Sequence, residues 1–135
     1  MSEILVPVSF GELLDKISIL EIKGAHIRDE AKLANIRREL EALRRTWLSA
    51  PESKRDIAAR YAALKQVNER LWKIEDDIRL KERAGAFDDE FIRLARSVYF
   101  ENDERARIKR EINAALGSKF IEEKSYEGYR PEGGD

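Results

Sequence analysis

The stretch "VSFGELLDKISILEIK", residues 8–23, carries both the start of a helix and its apolar surface. Ser9 is a good N-cap, and Glu12, three residues later, completes a capping box. Val8 and Leu13 stand at the two positions of a hydrophobic staple. Because these three local signals agree, we predict that a helix begins at Phe10.

Apolar residues recur along this first helix at spacings of three and four. They are Phe10, Leu13, Ile17, Leu20 and Ile27. Further apolar side chains outside this stripe widen the apolar arc, which predicts that the first helix is the most buried one. Gly24 fills the remaining position of the stripe, although a glycine inside a helix costs about 1 kcal/mol relative to alanine. Either a neighbouring backbone approaches Gly24 closely, or the helix ends there.

A second helix is predicted after Asp29, which is a suitable N-cap. Its apolar residues follow a heptad pattern. They are Leu33, Ile36, Leu40, Leu43 and Trp47. Pro51 forbids continuation of this helix. The short joint around Arg28 and Asp29 leaves two arrangements open, because helices one and two could form an antiparallel hairpin or a kinked tandem packed along the longer pair.

Two longer helices follow. The third is predicted from near Ser53 to Ala84, with Gly85 as its C′ residue. Its apolar stripe consists of Ile57, Leu64, Val67, Leu71, Ile74 and Ile78. Asp88 caps the fourth helix, and Gly117 ends it. The pattern as a whole predicts an all-α fold, a bundle of about four helices, two shorter and two long, with coiled-coil-like packing.

The length of 135 residues predicts a single domain. Residues 1–8 are expected to form a short extended segment, residues 9–117 the helical bundle, and residues 118–135 a non-helical tail whose last residues are flexible. The segments "EILVPV" and "KFIEEK" both resemble strands, and they could pair as a two-stranded ribbon. The alternative is that the tail docks on a partner protein.

The composition excludes several classes of function. Charged residues make up 39% of the sequence, and 26 basic against 27 acidic side chains leave a net charge of −1, which is not the basic footprint of a nucleic-acid binder. The N-terminus is wrongly flanked for a signal peptide and no 18-residue apolar stretch exists, so we predict a cytoplasmic protein without a membrane partner. Cysteine is missing, and the one histidine, His26, lies in no metal-binding spacing. We therefore expect no metal, no cofactor and no catalytic residue.

The fourth helix is irregular within "SVYFENDERARIKREI", residues 97–112. Its heptad pattern predicts apolar residues near positions 101 and 105, where the chain has Glu101 and Arg105. In one interpretation this turn faces water, as ion-pair ladders on long helices commonly do. In the other, a polar layer lies inside the bundle, where its charges must be paired. We favour the exposed turn and keep the polar layer as the alternative.

The polar layer defines candidate ligand-binding residues for a small anion or a sugar. They are Asp15, Lys16, Glu101, Asn102 and Arg105. Asn68 and Glu75 of the third helix flank the Leu71 stripe and could face the same layer. No residue spacing in the sequence requires this site.

Four stretches together carry a resemblance to a known family. They are "PVSFGELLDKISILEIK" (7–23), "KLANIRRELEAL" (32–43), "ARSVYFENDERARIKREIN" (95–113) and "EEKSYEGY" (122–129). The chain resembles a bacterial family of unknown function, DUF6165, along nearly its whole length. The resemblance implies a short, single-domain helical protein, and it brings no catalytic residues.

From these observations we predict a non-enzymatic module for protein–protein interaction or an accessory protein. Candidate partner-binding residues are Trp47, Tyr126 and Tyr129. Clean apolar stripes over several heptads also favour self-association as a homodimer. The alternative is a protein or enzyme that binds a sugar or an anionic metabolite at the polar layer.

Overall fold

Four α-helices form the chain in a computed structural model, which describes residues 2–129. They are α1 (Phe10–His26), α2 (Glu30–Ser49), α3 (Ala58–Ala84) and α4 (Asp89–Leu116), with a 3-10 turn at Pro51–Lys54 between α2 and α3. The described part of the chain contains no β-strand. The predicted all-α bundle of two shorter and two longer helices is therefore confirmed.

The ends of the helices follow the local signals of the sequence. The side chains of Ser9, Asp29 and Asp88 each accept a hydrogen bond from the backbone N–H three residues later, at 3.0–3.1 Å. Gly85 and Gly117 terminate α3 and α4 with φ values of 64° and 66°. This left-handed conformation suits glycine, which has no Cβ to clash with the backbone.

The start of α3 is the exception. The helix begins at Ala58, so the predicted start near Ser53 is wrong. Pro51 opens a separate 3-10 turn, and the Asp56 side chain accepts a hydrogen bond from the Ala58 N–H at 3.1 Å. An Asp side chain that bonds the backbone two residues on competes with helix continuation, which moves the helix start past it.

α1 and α2 form an antiparallel hairpin, which decides between the two arrangements left open by the sequence. The ring of Phe10, the first residue of α1, meets the ring of Trp47 near the end of α2 edge to face, with centroids 6.1 Å apart. Farther along the hairpin, Arg44 donates a hydrogen bond to Glu21 at 2.6 Å. α3 and α4 form a second antiparallel hairpin.

α1 lies at the centre of the bundle, because it contacts each of the other three helices. The buried core surrounds it. Its members are Leu13, Leu14, Ile17, Leu64, Val67, Ile108, Ile112 and Leu116. α1 also has the most buried residues of the four helices, which confirms the prediction from its wide apolar arc.

The glycine that lets a neighbour approach is Gly11 rather than Gly24. A Cβ placed on Gly11 would lie 2.7 Å from the backbone oxygen of Lys109, whereas no atom lies within 4 Å of a Cβ on Gly24. α1 continues through Gly24 to His26. Both explanations offered for Gly24 from the sequence are therefore wrong.

Within the described residues, segments 3–8 and 119–124 do not pair as a ribbon. Ile4 is 90% exposed, and the direct hydrogen bond between the start of α1 and the tail runs from the Phe10 N–H to Ser118 Oγ at 3.3 Å. The tail instead returns along α4, where Tyr129 packs against Phe100 with ring centroids 4.8 Å apart. The expectation that residues 130–135 are frayed falls outside the described residues.

The length and hydropathy of the helices bear on membrane insertion. Within residues 2–129, no helix combines the length and the apolar character needed to cross a bilayer.

Candidate functional site

Two polar stripes face each other inside the bundle. On α4, polar residues recur at spacings of three and four: Asn102, Arg105, Lys109 and Asn113. On α1, the facing residues are Gly11, Asp15 and Ser18, and they contact the α4 stripe directly or through Asn68 of α3. The second interpretation of the sequence, in which a polar layer lies inside the bundle, is therefore the arrangement observed.

Asn68 connects the three helices at the centre of this layer. Its amide nitrogen donates to Asp15 Oδ1 and to Ser18 Oγ, both at 2.8 Å. Its amide oxygen accepts a hydrogen bond from Arg105 Nη1 at 3.2 Å. Asp15, Ser18 and Asn68 are all buried. The neutral amide of Asn68 therefore lies between the buried carboxylate of Asp15 and the guanidinium of Arg105, and it forms a hydrogen bond with each of them.

Glu101 and Arg105 do not pair with each other. Arg105 makes its second hydrogen bond to Asn102 Oδ1 at 2.9 Å, and Glu101 instead accepts a hydrogen bond from Arg70 on α3 at 3.0 Å. Neither residue is fully exposed. The favoured prediction of a solvated Glu101–Arg105 ladder is wrong, because both side chains are half-buried and each bonds to a residue of α3, Arg105 to Asn68 and Glu101 to Arg70.

Lys109 continues the polar layer toward the C-terminal end of α4. Its ammonium donates to Glu12 at 2.7 Å and to Glu122 of the tail at 2.8 Å, and it lies 3.8 Å from Asp15. Burial disfavours its charge, but the two hydrogen bonds and the nearby carboxylates raise the pKa of Lys109 above the ordinary lysine value. The lysine therefore stays charged at neutral pH and ties the tail to the bundle.

The ion pair between Glu122 and Lys109 makes the stability of the protein depend on pH in the acidic range. The hydrogen bond from Lys109 holds the pKa of Glu122 below its ordinary value of 4.5. A lowered carboxylate pKa contributes stability above pH 4.5 that is lost as the pH falls through the folded-state value. The raised pKa of Lys109 acts at the other end, where its contribution is lost only as the pH rises beyond 10.5.

We expect Glu122→Gln to reduce the loss of stability between pH 6 and pH 3.5 by up to about 1 kcal/mol, the size of a partly exposed ion pair. Urea unfolding at both pH values measures this difference. Glu123→Gln is the matched control, since Glu123 is exposed and forms no ion pair with any residue in 2–129. Equal acid sensitivity of Glu122→Gln and the wild type would contradict the assignment.

A groove of about 540 Å³ lies beside the layer, where α1 ends against α3 and α4. Asn68, Asn102 and Arg105 lie along it. Three candidate residues, Asp15, Lys16 and Glu101, do not line the groove. Lys16 instead pairs with Glu12 on the same helix at 3.6 Å.

The other predicted residues occupy different places. Glu75 bonds to Arg79 and lies in the groove lining without a hydrogen bond to the layer. Trp47 packs against the core from α2, Tyr126 is exposed, and Tyr129 lies against α4. The three candidate partner-binding residues thus form no common surface, and their role in binding stays a prediction.

Four residues of the layer were missed by the sequence analysis. They are Ser18, Lys109, Asn113 and Glu122. A signal for two of them exists, because Lys109 and Asn113 continue the spacing of three and four that Asn102 and Arg105 begin. Ser18 likewise follows Asp15 by three residues on α1, whereas no spacing places Glu122 near Lys109.

A second polar cluster ties α1, α2 and α3 together. Glu21 accepts hydrogen bonds from the Tyr61 hydroxyl and from Arg44, and Lys65 lies 3.7 Å away. Burial and the hydrogen bond to Glu21 raise the pKa of Tyr61. This cluster stabilises the hairpin of α1 and α2 against α3.

No grouping of three or more His, Asp or Glu side chains in residues 2–129 is arranged to hold a metal ion.

The far half of the α3–α4 hairpin, residues 69–107, is here called the arm. No residue of the arm is buried, whereas α3 and α4 both have buried residues outside it, where α1 covers them. The apolar side chains between the two arm helices are only half-buried. They are Leu71, Ile74, Ile78, Phe91, Leu94 and Val98. Near the tip, Leu80, Phe87 and Ile92 are 57%, 59% and 53% exposed.

Comparison with known proteins gives one match. A family model described as "Family of unknown function (DUF6165)" matches residues 4–131. No curated protein and no solved structure matches the chain.

Proposed function

The chain belongs to DUF6165, a family of unknown function, and from this premise we propose that it is a protein–protein interaction module whose binding element is the arm. The observation that carries the proposal is the absence of any buried residue from 69 to 107, within the part of the chain that the structure describes.

Two helices alone cannot enclose the side chains between them. Most of the stability of a helix in a protein comes from packing its apolar face, and a helical bundle normally needs three or four helices to surround a core. The arm provides two helices and an apolar seam. Exposed apolar surface of this kind commonly marks an interaction site.

The partner that best fits the arm is the arm of a second copy. Two antiparallel pairs related by a two-fold axis would form a four-helix bundle and bury both seams. The arm contains eleven acidic and nine basic residues, so two copies would meet without strong net repulsion. Homodimerisation through the arm is therefore the specific form of the proposal.

The polar layer supports a structural role for the charged residues inside the bundle. Within residues 2–129, every buried side-chain nitrogen and oxygen has a hydrogen-bond partner. Satisfied polar layers can fix the register of packed helices. In this proposal the polar layer is structural, because it holds α1 against α3 and α4. The arm is the part of the protein that binds the partner.

We expect the wild-type protein to have the mass of two chains in multi-angle light scattering at micromolar concentration. The double variant Leu80→Ser/Ile92→Ser should have the mass of one chain, because it replaces two exposed apolar contacts near the tip. Both residues are exposed, so the fold itself should tolerate serine.

Leu48→Ser is the matched control for this experiment. Leu48 is 72% exposed on α2, away from the arm, and its replacement should leave the dimer intact. A wild-type mass of one chain at every concentration tested would overturn homodimerisation through the arm. A double variant that stays dimeric would place the interface elsewhere.

A second candidate function is favoured by the groove beside Arg105. The alternative of small-ligand binding at the polar layer has a specific location there. Eight of the twelve residues that line the groove belong to the arm, but the exposed residues Leu80, Phe87 and Ile92 near its tip do not line it.

A further inference from the structure

The groove at the base of the arm has the size of a small-molecule site. Its volume of about 540 Å³ lies within the range of about 300–1,000 Å³ that is common for ligand pockets. Five apolar side chains from α1, α3 and α4 line it together with seven polar or charged side chains. The apolar side chains can contact a ring, and the polar groups can fix its orientation.

Arg105 is the unusual residue of this groove. Among the arginines that the structure describes, it alone is not exposed. Its guanidinium donates to the neutral amide oxygens of Asn68 and Asn102, and no carboxylate of residues 2–129 lies within 4.0 Å of it. The two amides orient the cation without neutralising it.

The remaining donors of Arg105 are available to a ligand. A guanidinium has five N–H groups, and the two hydrogen bonds to Asn68 and Asn102 engage one on each terminal nitrogen. Partial burial of a charge without a counter-ion is costly. An anionic group in the groove would compensate that cost, and the planar fork of arginine suits phosphate and carboxylate.

Trp72 provides a surface for a ring. Its indole stacks on the His26 imidazole, with centroids 5.0 Å apart and an interplanar angle of 20°, which holds the indole in position. Ile22 lies in the same lining. Aromatic and aliphatic side chains beside a polar cluster favour a ligand with one apolar face and one polar edge.

The charges of the lining indicate what else the ligand carries. Lys23 and Arg79 add positive charge, while Glu75 and Asp76 add negative charge. Arg79 already bonds to Glu75 at 3.4 Å. Together with Arg105 this leaves one net positive charge for the ligand, and the carboxylate of Asp76 is suited to accept hydrogen bonds from hydroxyl groups.

We propose that this groove binds a small hydroxylated ring that bears a phosphate or a carboxylate, with Arg105 and Lys23 at the anionic group and Trp72 against the ring. The inference goes beyond the interaction function and does not depend on it, because the arm variants Leu80→Ser and Ile92→Ser leave the groove lining intact.

Isothermal titration calorimetry of the full chain with three probes tests the proposal. Glucose 1-phosphate carries a ring and a phosphate, shikimate carries a ring and a carboxylate, and inorganic phosphate has no ring. At least one ring compound should bind about tenfold more tightly than inorganic phosphate. Which of the two binds identifies the anionic group.

Variants of the groove locate the binding. Arg105→Met should weaken the ring compound about tenfold or more, the effect of losing a charge-assisted hydrogen bond. Lys23→Gln, on the rim, should weaken it about threefold. Arg96→Met is the control, because Arg96 is an exposed arginine of α4 outside the groove lining, and the affinity should not change.

Several results would overturn the proposal. One is that neither ring compound binds more tightly than inorganic phosphate, or that none of the probes binds at millimolar concentration. Another is unchanged affinity in a folded Arg105→Met protein. If circular dichroism shows that Arg105→Met is unfolded, Lys23→Gln decides, and unchanged affinity in that variant excludes the groove.

Discussion

Replacing Gly11 by alanine should lower the free energy of unfolding by about 3 kcal/mol. The new methyl group would lie 2.7 Å from the Lys109 backbone oxygen and 3.0 Å from Asn113 Oδ1, and neither α1 nor α4 can move without disturbing the core. Overpacking of this kind costs about 1–3 kcal/mol. The shift would also strain the hydrogen bond from the Gly11 N–H to Asn113, now 2.7 Å long, for about 1 kcal/mol more.

Gly24→Ala is the matched control on the same helix. Gly24 is exposed in the last turn of α1, with open space where the methyl group would be. Alanine there should stabilise the protein by about 0.5–1 kcal/mol through its higher helix propensity. Urea unfolding monitored by circular dichroism measures both variants. Equal effects of the two substitutions would show that α1 and α4 do not approach at Gly11.

The second large effect is expected for Asn68→Ala, which should destabilise the protein by about 3–4 kcal/mol. The alanine would leave the buried Asp15 carboxylate and the Ser18 hydroxyl without the amide donor, and Arg105 without one of its acceptors. Each buried polar group left unsatisfied costs about 1–3 kcal/mol. Chemical denaturation of the purified variant gives the value.

Two further variants test whether the destabilisation by Asn68→Ala comes from its hydrogen-bond network or only from the loss of an asparagine side chain. Asn35→Ala removes an exposed asparagine from α2 and should change stability by less than about 0.5 kcal/mol. In the double variant Asp15→Ala/Asn68→Ala, both partners of one hydrogen bond are missing, so the loss should be smaller than the sum of the two single losses. Strict additivity would mean that Asn68 and Asp15 do not interact.

Local signals in the sequence were sufficient to predict the helices. Ser9, Asp29 and Asp88 cap them, and Gly85 and Gly117 end α3 and α4 as predicted. These signals work because a cap depends on the side chain and backbone of neighbouring residues. The wrong start of α3 has the same origin, since Asp56 rather than the more N-terminal Ser53 provides the side-chain bond near the helix start.

The candidate site could be predicted only in part. Asp15, Asn102 and Arg105 do meet in one layer, whereas Lys16 and Glu101 bond elsewhere. The prediction for Glu101 and Arg105 rested on a pair along one helix. In the bundle both side chains bond to α3 instead, Glu101 to Arg70 and Arg105 to Asn68, because a cross-helix partner in a partly buried site offers a stronger interaction than an exposed pair.

The amino-acid sequence by itself determined which segments are helical, where most of them end, and that α1 is the most buried of them. These properties depend on the periodicity of apolar residues and on contacts within a few positions along the chain. Only the tertiary structure decided that Gly11 is the close-contact glycine, that Asn68 joins Asp15 to Arg105, and that no residue of the arm is buried. Each of these depends on how the helices pack side by side, and residues far apart in the chain meet only once that packing exists.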